Sequence, residues 1–168
     1  PEPRPPRRLE GSPGGKWPGG RPNDCGGSTN AATKEWLCYD MHSFNDGEGG
    51  FHGQVTNIGT DLKQSVRFLS CTAHHNRADG FQIGGAMLSD CFAYLNGGSG
   101  FDSVGNFVIG SGEAVYTQIV NCRAEANGGG GFTAVLQTGP HIRTLFDNCV
   151  AHGNTGNGFA AAMEHTTI

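Results

Sequence analysis

The chain has 168 residues, 29 glycines, 36% hydrophobic residues and a formal net charge of −4, a length that holds one core and leaves no room for a second globular domain. Beyond Asp24, six basic side chains stand against twelve carboxylates, an acidic balance that argues against a nucleic-acid partner. Neither a membrane-spanning stretch nor a secretion signal is visible.

Residues 1–30 come first and differ from the rest. Seven of the eight prolines lie within the first 22 residues, together with Arg4, Arg7, Arg8, Lys16 and Arg21. A segment of this composition buries too little apolar surface to offset the entropy of ordering, so it is expected to be a disordered linker or flanking piece. Residues 31–168 are expected to form the folded unit.

Within that unit one motif recurs four times: Cys-x-Ala-x-x-Asn-x-x-x-Gly-Phe, with an apolar residue three places before the cysteine. It reads Phe68, Cys71, Ala73, Asn76, Gly80, Phe81; then Leu88, Cys91, Ala93, Asn96, Gly100, Phe101; then Ile119, Cys122, Ala124, Asn127, Gly131, Phe132; then Phe146, Cys149, Ala151, Asn154, Gly158, Phe159. A weaker copy precedes these between Asp40 and Phe51 and matches when one extra residue is allowed between Asn45 and the Gly50-Phe51 pair. Copies with fixed internal spacing occupy equivalent places in a repeat architecture.

The cysteines are 20, 31 and 27 residues apart, a period suited to one turn of a coil. Helix is disfavoured because every copy carries Asn and Gly inside the motif, and a glycine in a helix interior costs roughly 1 kcal/mol. The apolar stretches are strand-length and rich in β-branched or aromatic residues. The prediction is an all-β, right-handed parallel β-helix of four to five rungs, the hand following the general right-handedness of parallel crossovers. The chain stops at Ile168 soon after the fourth Gly-Phe pair, which reads as a coil truncated at its C-terminus. Insertions between Ser103 and Thr117 and between Gln137 and Arg143 are expected as loops outside the coil, where Glu113 and Arg143 could wall a groove.

In such a coil equivalent residues stack about 4.8 Å apart. The apolar residue, the cysteine, the alanine and the phenylalanine are predicted to point inward. The asparagines are predicted at a tight turn in the left-handed backbone region. The cysteines are expected to act as small buried apolar groups, because parallel side-chain vectors make a disulfide torsion poor.

Two outward rows are candidates for a ligand. The residues after the phenylalanines, His52, Gln82, Asp102 and Thr133, offer hydrogen-bonding groups at a repeat close to that of a sugar chain. In that row His52 and Asp102 would lie about 9.6 Å apart, a separation suited to an acid and a base acting through water. The row three after the cysteines holds His74, Tyr94, Glu125 and His152, where Tyr94 offers a face to a pyranose and Glu125 an acid or base. His74 and His75 are adjacent, and neighbours in a strand point to opposite faces, so no shared metal is expected there. Asp79 and Arg77 are read as turn and surface charges.

The runs Ala78-Asp-Gly-Phe-Gln-Ile-Gly-Gly85, Ser89-Asp-Cys-Phe-Ala-Tyr-Leu-Asn96 and Gly100-Phe-Asp102 resemble the β-helical pectate lyases of polysaccharide lyase family 9 over roughly residues 36 to 164. The asparagine row likewise resembles the asparagine stack of those enzymes. The resemblance implies an extracellular or cell-surface protein acting on polysaccharide by β-elimination, with calcium acidifying the uronate C–H and a lysine removing the proton. The family takes its calcium ligands from an Asp-Asp-Gly-x-Asp run and its lysine from a position after Gly-Phe. No run here keeps more than two of those carboxylates, and the residues after the phenylalanines are His52, Gln82, Asp102, Thr133 and Ala160. Two readings therefore stand: a lyase-like enzyme, with calcium as its implied cofactor, and a non-catalytic carbohydrate-binding or adhesin β-helix.

Overall fold

The structure is a computed structural model that describes residues 36–54, 66–104, 115–135, 142–162 and 166–167. These residues form short strands and no helix. The order is β1 (Trp36–Tyr39), β2 (His42–Phe44) and β3 (Phe51–Gln54), then β4 (Val66–Leu69), β5 (Thr72–His74) and β6 (Phe81–Gly84). It continues with β7 (Ala86–Ser89), β8 (Phe92–Tyr94) and β9 (Phe101–Val104), and with β10 (Val115–Val120), β11 (Arg123–Glu125) and β12 (Phe132–Val135). The last are β13 (Ile142–Asp147), β14 (Val150–His152), β15 (Phe159–Ala162) and β16 (Thr166–Thr167).

Every third strand pairs in parallel, giving three sheets: β1-β4-β7-β10-β13-β16, β2-β5-β8-β11-β14 and β3-β6-β9-β12-β15. The fold is the expected parallel β-helix. Three successive strands make one turn, and the segment that closes each turn keeps a constant length. It spans 36–54, 66–84, 86–104, 117–135 and 144–162. The differences in spacing all fall at the corner between the third sheet and the first. There β6 reaches β7 through Gly85 alone, at φ 68°, a left-handed conformation that glycine adopts without a steric penalty. The other connections at this corner, with Glu113 among their residues, lie outside the described residues. Arg143, expected in a loop, belongs to β13, paired with Tyr116 of β10.

The inward positions are those the motif indicated. Phe68, Leu88, Ile119 and Phe146 are buried, as are Cys71, Cys91 and Cys122, Ala73, Ala93 and Ala124, and Phe81, Phe101 and Phe132. The motif phenylalanines stack face to face, with centroids 4.9 Å apart for Phe81 and Phe101 and 4.8 Å for Phe101 and Phe132. Each such ring contributes about 1.5–3 kcal/mol by burial, and stacking adds to it. Cys71, Cys91, Cys122 and Cys149 are free thiols, as expected. Neighbouring thiols on the column, together with burial, push Cys71 and Cys91 above the usual thiol range.

The asparagine column is satisfied atom by atom. Asn96 Nδ2 donates to Asn127 Oδ1 at 3.0 Å and to the Ala73 carbonyl at 3.0 Å. Asn96 Oδ1 accepts from Asn76 Nδ2 at 3.0 Å and from the Asn76 backbone N–H at 3.2 Å. This removes the cost of burying a polar amide, which is why the ladder tolerates residues 1–2% exposed at Asn76, Asn96 and Asn127.

Two expectations need correction. The first turn contains no extra residue: Ser43 pairs with Ala73, Phe51 with Phe81, and the Asp46 N–H donates to Asn76 Oδ1. Met41, Ser43, Asp46, Gly50 and Phe51 thus keep the motif spacing, with Asp46 rather than Asn45 in the asparagine row. The left-handed residues, in turn, are the ones before the asparagines: Asn45, His75, Leu95 and Ala126 at φ 52–55°, with Gly153 at 64°. A second left-handed column, Asp40, Ser70, Asp90, Asn121 and Asn148, precedes the cysteine row. Both columns are corners where the chain turns from one sheet to the next.

Candidate functional site

The third sheet carries the first candidate row. Register pairs His52 with Gln82, Gln82 with Asp102, Asp102 with Thr133, and Thr133 with Ala160. All are half-buried. They alternate with inward Phe81, Ile83, Phe101 and Ser103, so the pleat itself turns them outward. His52 and Asp102 lie two strands apart, as expected.

At the first turns this row borders a cavity of ≈ 380 Å³ lined by Glu48, His52, Arg77, Asp79 and Gln82 among others. Asp79 enters from the turn before β6, where one carboxylate oxygen accepts the Ser99 N–H at 2.7 Å. Burial raises its carboxyl above the usual range, and the Ser99 bond opposes that shift. Burial, with the Asp79 charge nearby, pushes Asp102 up to about 6. Thr133 Oγ1 donates to Ser99 Oγ at 3.2 Å, tying the fourth turn to the same corner. Asp79 does serve its turn as the sequence suggested, but it also faces the cavity and acts on Asp102, which linear spacing did not reveal.

The second row runs along the second sheet: Phe44, His74, Tyr94, Glu125 and His152 in register. Its members contact one another. His74 lies between Phe44, at a centroid distance of 5.4 Å, and Tyr94, at 4.8 Å. Tyr94 also packs on Phe92 at 4.7 Å. The Tyr94 face toward the second turn is therefore covered by His74. Glu125 pairs with Arg123 at 2.9 Å, and the Arg123 guanidinium sits 5.7 Å from the Phe92 ring centroid. Phe44, Phe92 and Arg123 were not singled out in the sequence, although their spacing of two within each strand puts them on the same face.

His74 and His75 do meet, contrary to expectation. His75 is not part of the strand: it follows β5 in the left-handed region at φ 55°, which breaks the alternation. The two Nδ1 atoms are 2.9 Å apart and the rings lie nearly perpendicular. Burial, followed by the charges of His75 and His42, holds His74 below the usual histidine range.

Calcium, implied by the resemblance, takes about six to eight oxygen ligands. Among the described residues no three His, Cys, Asp or Glu side chains gather where they could hold a metal ion, and the third-sheet row has no lysine. The residues present do not fit that group. No helix among the described residues is long and apolar enough to cross a membrane. No family model, curated protein or solved structure matches this chain. The fold is that of a parallel β-solenoid with two differently furnished outer rows.

Proposed function

We propose that this protein binds polysaccharide, acidic or neutral, with the sugar chain lying along the third sheet across His52, Gln82, Asp102 and Thr133. The observation that carries this reading is the in-register polar row leading into the cavity formed with Glu48, Arg77 and Asp79. Donors and acceptors repeat there at about 4.8 Å per turn, and a rigid sheet presents them without the ordering cost of mobile loops. An extracellular or cell-surface setting goes with such a ligand. A second, catalytic reading is favoured by Asp102: a carboxyl held up to about 6 is partly protonated near neutrality and suits acid–base work with His52. That reading is the pectate lyase-like one of the family resemblance, with the chain's own side chains in place of calcium and lysine.

Affinity electrophoresis through gels containing polygalacturonate, alginate or a neutral glucan tests the binding. Retardation by at least one polymer is expected, and it should weaken in Gln82→Ala and Thr133→Ala. Equal mobility in every gel overturns the proposal. Ultraviolet absorbance of unsaturated uronate products in the same mixtures separates a lyase from a binder.

A further inference from the structure

We propose that His74 and His75 form a two-histidine chelate for a divalent metal of tetragonal preference, Cu(II) or Ni(II). The inference is independent of the glycan reading, because the pair lies on the second sheet and its corner, away from the His52 row.

The geometry begins with the two Nδ1 atoms, 2.9 Å apart. With metal–nitrogen bonds of about 2.0–2.1 Å, that separation subtends about 90° at the metal. A tetrahedral ion would spread the same atoms to about 3.3–3.4 Å. The bite is thus the cis angle of a square-planar or tetragonal site, the geometry of Cu(II) and Ni(II) with imidazole ligands. In the metal-free pair one ring donates Nδ1–H to the other, so the nitrogens already stand at chelating distance, and a turn of the rings aims both at one ion. On binding, the donor ring exchanges its proton to Nε2 through solvent, and both Nδ1 lone pairs face the ion.

One ligand is held before the metal arrives: the His74 ring is stacked between Phe44 and Tyr94. The exposed His75 ring meets Tyr94 edge-on with centroids 6.0 Å apart. The ordering of His74 lowers the rotamer entropy lost on binding, which favours a site of only two protein ligands. No third donor is gathered among the described residues, so water completes the coordination sphere beside the exposed His75. The pairing is peculiar to this turn: the equivalent positions elsewhere are Phe44-Asn45, Tyr94-Leu95, Glu125-Ala126 and His152-Gly153.

Those neighbours supply the test variants. His74→Phe keeps the ring stack as Phe44 does, and His75→Asn keeps the left-handed corner as Asn45 does. Titration of the full chain with Cu(II), followed by electron paramagnetic resonance, should show one copper with coupling to two imidazole nitrogens. Each variant should weaken that site at least about tenfold, since even outer partners of a metal site are worth 10–100-fold, with far-ultraviolet circular dichroism unchanged. In the wild-type chain the His74 and His75 ring signals should be the first histidine resonances broadened by substoichiometric Cu(II), a readout that needs no variant. Binding that survives both substitutions, loss that follows His42→Ala instead, or broadening first at other histidines overturns the assignment.

Discussion

The inside and the outside of this coil are built on the same register, yet they use it differently. From the second turn to the fifth most inward columns repeat one residue type, so that Phe stacks on Phe and Asn hydrogen-bonds to Asn from turn to turn. Outward rows change chemistry at every turn: His52, Gln82, Asp102 and Thr133 on the third sheet, and Phe44, His74, Tyr94 and Glu125 on the second. Identity along a column reports a packing demand, whereas variety along a row reports freedom to take on a ligand. The two outer rows differ again, because aromatic rings on the second sheet cover one another while the third sheet presents a polar row beside a cavity.

Substitutions should separate these regions by size of effect. Asn96→Ala is expected to be the most damaging: the buried Asn76 loses the acceptor of its backbone N–H and one of two acceptors of its side-chain amide, which keeps the Ser43 carbonyl. Two orphaned donors cost about 3–5 kcal/mol in all, readable as a lower urea midpoint. Gly100→Ala comes next. The added methyl would meet Ala124 Cβ at 2.8 Å and the Gly131 carbonyl at 2.9 Å, overpacking worth about 1–3 kcal/mol in the same measurement.

Outward changes should be milder. The Asp102 carboxyl, raised to about 6 from 3.8, keeps its proton in the folded state over a window where the unfolded chain has already lost it. Stability therefore falls as pH rises from about 4 to 6, and the deficit persists above that window. Asp102→Asn should then stabilise the protein by about 1 kcal/mol at pH 7.5, a figure discounted for solvent screening. Unfolding curves at several pH values should show that gain shrinking toward pH 4. A gain independent of pH would remove the electrostatic explanation. Arg123→Ala should matter least, at about 0.5 kcal/mol or below, because its pair with Glu125 is solvent-exposed. A larger thermal shift would mean that the guanidinium packs on Phe92 more tightly than a surface pair requires.

Much of the fold was legible because inward columns cannot vary without cost. The Cys, Ala, Asn and Phe positions pointed to the parallel coil and its core, while its division into three sheets is seen only in the structure. The first turn was misread at Asn45 because a matching letter outweighed a matching interval: Met41, Ser43 and Asp46 keep the spacing with different residues. The left-handed corners were displaced by one residue for a related reason. Asn is the usual occupant of that backbone region, yet here His75, Leu95 and Ala126 take it, held by the backbone bonds of adjacent turns: the His75 N–H donates to the Tyr94 carbonyl and the Leu95 N–H to the Glu125 carbonyl. The candidate site was half legible. Alternation placed the His52 row, but the approach of Asp79 to Asp102 and of His74 to His75 depends on corners, where period-two reasoning stops.

The corner between the third sheet and the first gives the coil a splice point. A one-residue insertion within 66–84 or 86–104 would turn inward residues outward and break every ladder it crosses. At the splice point the neighbouring turns are joined by as little as Gly85, and lengthening a connection there costs only about 0.6 kcal/mol per doubling. New segments can enter the gene at that position without being read by the core, so one side of the cylinder is open to variation while the rest is held in register.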